Sequence, residues 1–168
     1  MVRRLPVLQS SDTEARRPPW HWLLIGAGFT VTLWLPLAML ALWVGPRLAL
    51  ELFEIPEGQT LEQALAVASP ARRQWVTVVQ ALPLLLSFFL ACFASATLVG
   101  RFGGAAGWRE AVLANLIGSG AVLVLAASAG GLTLAVALGA GGFLVLSSLL
   151  GGWGGARTGR RLRPGPGR

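Results

Sequence analysis

From Ala111 to Ala156 the chain carries no ionisable side chain. Such a run is too long for one crossing of a bilayer, which takes about 20 apolar residues, and too apolar to remain in water. Gly130 and Gly131 fall near its middle, where they can turn one helix back into a second. The spacing therefore predicts a tight helical hairpin over residues 111–129 and 132–152. Both arms are rich in Gly, Ala and Ser, so their backbones can approach where two leucine-rich helices could not.

Two further apolar runs, 20–44 and 75–99, precede the hairpin. Only 12% of the residues are charged, against about 25% in ordinary soluble domains. Mean hydropathy is +0.65. A transmembrane β-barrel would show alternating segments of about 10 residues, and the chain has no such alternation. The expected fold class is all-α integral membrane. It is a four-span transmembrane helical bundle with both termini on the same side and a Gly/Ala-rich hairpin of the third and fourth spans.

Residues 1–19 read as a disordered basic tail, broken by Pro6, Pro18 and Pro19. Arg16–Arg17 before an apolar run has the look of an export signal, but residues 20–44 far exceed the 7–15 residues of a signal core. That run is expected to be kept as the first span, about 37 Å long as a helix. Pro36 removes one backbone hydrogen bond within it, and Thr30 and Thr32 are placed to compensate.

Gly45–Pro46 is the expected stop, and 45–74 the expected extracytoplasmic loop. Pro56–Glu57–Gly58 predicts a turn within it. Thr60 and Gln63 have capping-box spacing and predict a short amphipathic helix over 60–68, ended by Ser69–Pro70. Glu51, Glu54, Glu57 and Glu62 are expected on a solvated face. In the second span Gln80, Ser87, Cys92, Ser95 and Thr97 are neutral polar groups, expected to hydrogen-bond between helices. The 100–110 connector is glycine-rich but lacks the Gly-Lys-Ser/Thr ending of a phosphate loop.

The last two spans repeat small residues at helical spacing. Ala114, Gly118, Ala121 and Ser128 on one, and Ala135, Gly139, Gly151 and Gly155 on the other, are the candidate packing face. Gly118→Leu and Gly139→Leu are both expected to disrupt the hairpin. Residues 157–168 form an Arg-rich tail, expected to be disordered and drawn to anionic lipid headgroups.

Orientation follows from the arginines. The two tails and the 100–110 connector hold Arg3, Arg4, Arg16, Arg17, Arg101, Arg109, Arg157, Arg160, Arg161, Arg163 and Arg168, whereas the 45–74 loop holds only Arg47, Arg72 and Arg73. The richer face is expected to be cytoplasmic. Trp20, Trp22, Trp108 and Trp153 mark that interface, Trp43 and Trp75 the other, and only Trp34 lies mid-span. All basic residues are Arg, as a GC-rich coding sequence gives, and the expected location is a bacterial cytoplasmic membrane.

No Asp, Glu, Arg or Lys falls inside an expected span, which argues against proton-coupled transport. His21 sits at a span end and Ser119 well inside the third span, too far apart for a serine peptidase pair. With one cysteine, Cys92, no intrachain disulfide forms, and no cofactor or metal is expected. The net charge of +7 is accounted for by topology, so no nucleic-acid partner is expected. What remains is a non-enzymatic scaffold, accessory or regulatory subunit, joined to other membrane subunits or to a second copy through small-residue faces. The alternative is an oligomeric channel or uncoupled small-solute carrier, with a path along Asn115, Ser119, Ser128 and Thr133.

Overall fold

A computed structural model describes residues 20–56, 58–103, 106–128 and 134–162. The N-terminal tail, Glu57 of the expected turn, Gly130–Gly131 of the expected hairpin turn and residues 163–168 lie outside the described residues. Within them the chain is helical: α1 is Trp20–Leu52, α2 Leu61–Val67, α3 Pro70–Phe102, α4 Trp108–Ser128 and α5 Leu134–Arg161. Four of these, α1, α3, α4 and α5, are long and apolar enough to cross a membrane.

The short helix starts where the sequence places it. Thr60 Oγ1 accepts the Gln63 N–H at 3.3 Å, and Gln63 Oε1 accepts the Thr60 N–H at 3.0 Å. Ser69–Pro70 closes α2 and also opens α3, five residues before the expected Trp75. Ser69 Oγ accepts the Arg72 N–H at 3.4 Å. Pro70 occupies the first turn, where its missing N–H has no intrahelical partner to lose. Arg73 donates to the carbonyls of Ala68 and Ala66 at 3.0 and 2.8 Å, and Arg72 to that of Phe53 at 2.8 Å. Both arginines thereby tie helix ends together across the loop.

Gly45–Pro46 does not stop α1, which continues to Leu52. A Cβ at Gly45 would meet the Gln80 carbonyl oxygen of α3, so the glycine is a point of close approach between two helices. The actual stop is a Schellman cap. The Ile55 N–H donates to the Leu50 carbonyl at 3.1 Å and the Glu54 N–H to that of Glu51 at 3.3 Å, with Glu54 left-handed at φ 48°. An L-residue there costs about 1–2 kcal/mol. Glu54→Gly is expected to stabilise this cap by about 0.5–1 kcal/mol after the larger entropy of the unfolded glycine is counted. Slower amide exchange at Ile55 is the readout; unchanged or faster exchange would refute the strain.

The packing runs inside out relative to a water-soluble bundle. Most buried positions are small, among them Ala49, Ala91, Ala96, Ala111, Ala114 and Ala156, while Leu24, Met39, Leu42, Leu90, Leu146 and Leu150 point outward. A lipid solvent gives no reward for hiding leucine, so close backbone approach decides what faces inward. α3 touches α1, α4 and α5. α1 runs antiparallel to it, with Gly45 on Gln80 at one end and Gly26 by Val99 at the other. α5 runs parallel to it, Gly151 resting on Cys92, Gly155 on Phe93 and Gly159 on Thr97.

That four-residue glycine repeat is also why α5 passes the expected boundary at Gly152 and continues helical to Arg161. Residues 157–161, expected as disordered tail, belong to this helix. Gly155 and Gly159 have the poor helix propensity of glycine, but each sits directly on an α3 carbonyl, and the tertiary contact outweighs propensity.

Candidate functional site

Where the four long helices meet, neutral polar side chains converge instead of leucines. Thr30 of α1, Ser95 of α3, Asn115 and Ser119 of α4 and Ser148 of α5 are all buried. Asn115 Nδ2 donates to the Cys92 carbonyl of α3 at 3.0 Å, and its Oδ1 lies 3.0 Å from Thr30 Oγ1. Ser95 Oγ donates to the Gly26 carbonyl of α1 at 2.7 Å. Thr30 Oγ1 is also 2.9 Å from that carbonyl, so its single proton is shared between Gly26 and Asn115 or given to one of them.

The second half of the node joins α4 to α5. Ser119 Oγ and Ser148 Oγ are 2.7 Å apart. Each also reaches a carbonyl four residues back, Asn115 at 2.9 Å and Leu144 at 2.8 Å. Two protons serve three contacts: one serine donates to its own helix, the other to its partner. A run of bonds thus links all four long helices. In a low dielectric such bonds are worth about 0.6 kcal/mol each. Their larger effect is to fix register, because a slipped helix would leave the same groups unpaired.

The packing candidates separate into two groups. Ala114 is buried against Gly26, where an added Cβ would stand 2.8 Å from the Ala114 Cβ. Gly118 faces Thr30, with 3.3 Å available, and Gly151 faces Cys92, with 3.0 Å. Gly155 rests on the Phe93 carbonyl. Ala121 and Gly139 are exposed, and among the described residues nothing lies within 4 Å of a Cβ at Gly139. Ser128 is exposed and bonds back to the Leu125 carbonyl at 2.8 Å. Ala135 is within α5, but its side chain lies outside what is described, as does Thr133 entirely.

Of the four path candidates, then, Asn115 and Ser119 come together inside the bundle and Ser128 does not join them. Thr30, assigned from sequence to Pro36, turns instead toward Asn115. Ser148 is the member sequence reading missed. Its signal was the phase shared with Gly151, Gly152 and Gly155 on the buried side of α5.

Trp34 is the one long-helix tryptophan at mid-span, and its Nε1 is buried with no hydrogen-bond partner among the described residues. It meets Phe88 edge-on, with ring centroids 6.0 Å apart. Both line an apolar cavity of about 180 Å³ with Val122, Phe143 and Leu144. At the chain's other candidate chemistry, His21 stacks on Trp20 at 3.7 Å while Ser119 is held by Ser148. Among the described residues no three His, Cys, Asp or Glu side chains gather as a metal site requires. Comparison with protein-family models, curated proteins and solved structures finds no match to this chain.

Proposed function

We propose that this chain is a non-enzymatic membrane subunit that scaffolds or regulates a partner, in the cytoplasmic membrane of a bacterium, with both termini in the cytoplasm. The supporting observation is how the glycines divide. Gly26, Gly45, Gly100, Gly151, Gly155 and Gly159 are used up inside the bundle, whereas a Cβ at Gly120, Gly139, Gly141 or Gly142 would meet nothing within 4 Å among the described residues. Open glycines on a lipid-facing surface give another helix room to bring its backbone close. Two of the four groups on which the channel reading relies, Asn115 and Ser119, already bond within the protomer.

The test is purification from native membranes in mild detergent, with the particle mass and its components identified. A stoichiometric membrane partner that is lost on Gly139→Leu with Gly142→Leu, while the bundle stays folded, supports the subunit reading. A homo-oligomer with no partner, and solute flux in liposomes, would replace it with the channel or carrier.

The orientation has its own test. Cys92 is fully buried, so in a Cys92→Ser background single cysteines report sidedness. On intact cells a membrane-impermeant maleimide is expected to label Gln59→Cys and spare Arg168→Cys. Labelling of Arg168→Cys alone would invert the topology, and labelling of both would mean an even number of crossings between the two sites.

A further inference from the structure

At the end of α5 a cleft of about 430 Å³ is lined by Trp108, Trp153, Arg157, Arg160 and Arg161. It brings the start of α4 against the last two turns of α5. Arg157 lies over the Trp153 ring, 5.4 Å from its centroid, which holds one guanidinium at the rim. Glu110 is the one carboxylate at this end among the described residues, and its Oε2 accepts the Gly107 N–H at 2.5 Å. A Cβ at Gly107 would stand 3.0 Å from that oxygen and 3.3 Å from Arg160 Nη2. Three guanidiniums against one carboxylate leave the cleft strongly cationic. A role for Arg160 and Arg161 in complementing the helix dipole accounts for their place in the last turn. It does not account for Arg157, or for two tryptophans from different helices closing the same space.

Below the arginines the surface changes character along one line. Leu150, Leu149 and Leu146 precede Trp153 by three, four and seven residues, so they share its helix face, and they are 61%, 42% and 57% exposed. Guanidiniums above, indole rings between and bare leucine below match the order of phosphate, glycerol and acyl chain in a lipid. We infer that this cleft is a binding site for an anionic glycerophospholipid, best matched by a two-phosphate headgroup such as diphosphatidylglycerol. Basic pockets between helices at the cytoplasmic surface take such headgroups, and the planar guanidinium fork binds phosphate oxygens in pairs. The inference rests on the membrane-spanning reading above and is independent of whether a protein partner exists.

Native mass spectrometry of the full chain, released from nanodiscs of defined composition, tests it. The probes are diphosphatidylglycerol, phosphatidylglycerol, phosphatidylcholine and inorganic phosphate. The wild type is expected to retain one diphosphatidylglycerol and no phosphatidylcholine. R157Q/R160Q/R161Q should weaken that binding about a hundredfold, taking each arginine at its usual worth near an anionic surface. Arg101→Gln removes a charge that stacks on Phe102 outside the cleft, and should leave retention intact. Diphosphatidylglycerol with brominated chains should quench tryptophan emission in the wild type, and Trp153→Phe should reduce that quenching.

Four results overturn the inference. They are equal retention of phosphatidylcholine, an unaltered triple variant, loss in Arg101→Gln as large as in the triple variant, and displacement of the lipid by millimolar inorganic phosphate. The last would reassign the cleft to a soluble phosphate. A folded protein that keeps its lipid but has no partner refutes only the subunit reading, so the two failures are distinct.

Discussion

Gly155→Leu is expected to abolish the native bundle, at a cost above about 3 kcal/mol, beyond the ordinary range for an overpacked core. The obstruction is backbone, not a side chain that can swing away. A Cβ at position 155 would strike the Phe93 carbonyl oxygen, with Ala96 Cβ at 2.8 Å and the Thr97 nitrogen at 3.0 Å. Relief requires α5 to lift off α3, which would also open the contacts at Gly151 and Gly159. Gly139→Leu is the matched comparison on the same helix. With no atom of the described residues within 4 Å of its Cβ, it should be neutral or gain the helix propensity that glycine lacks, up to about 1 kcal/mol. The sequence reading treats Gly139 and Gly118 alike; the structure separates them. Denaturation midpoints in detergent decide the matter, and a Gly155→Leu protein as stable as Gly139→Leu would refute the glycine seam.

Asn115→Leu is expected to cost about 2–4 kcal/mol, combining two lost interhelical bonds of about 0.6 kcal/mol each with overpacking of about 1–3 kcal/mol. Asn115 is fully buried, so the two bulkier methyl groups that replace its amide oxygen and nitrogen press on their neighbours. Its loss leaves the Cys92 carbonyl without the amide donor and Thr30 without the Asn115 acceptor. Thr30→Val should be milder, and the Asn115→Leu/Thr30→Val double variant should cost less than the sum of the two. Unfolding of all three closes the cycle. Full additivity would mean that Thr30 and Asn115 do not depend on one another. A folded Asn115→Leu protein with altered solute flux in liposomes would restore the path reading.

The four long helices were legible because their signal is crude and cumulative. A stretch such as Ala111–Ala156, with no ionisable group, leaves no other way to satisfy its backbone in lipid. The Thr60–Gln63 box was legible because its chemistry is local, complete within four residues. Boundaries were not. Gly45–Pro46 carries the usual mark of a helix end, yet a glycine against a neighbouring carbonyl and a glycine at a cap look identical in sequence. The true end at Glu54 uses a residue type that gives no warning of a left-handed backbone. The small-residue repeats gave spacing without phase. Gly139 and Gly155 lie on one helix, but only contact with α3, distant in the chain, makes Gly155 indispensable. Of the polar node, Asn115 and Ser119 stood out as an i, i+4 pair in an apolar run. Ser148 and Thr30 acquire their meaning only from the helices beside them.

The glycine seam also bears on how the protein is made. α5 carries eight glycines between Leu134 and Arg161, and they leave its peptide groups thinly shielded from hydrocarbon. Partition into the bilayer alone holds such a segment weakly; the carbonyl-lined face of α3 supplies what its own side chains lack. Synthesis from the N-terminus delivers α3 first, so the template is present when α5 leaves the ribosome. A lesion in the seam should therefore appear as a biogenesis error, with the C-terminal segment stranded on one side of the membrane and cleared by quality-control proteolysis before any mature bundle exists to unfold.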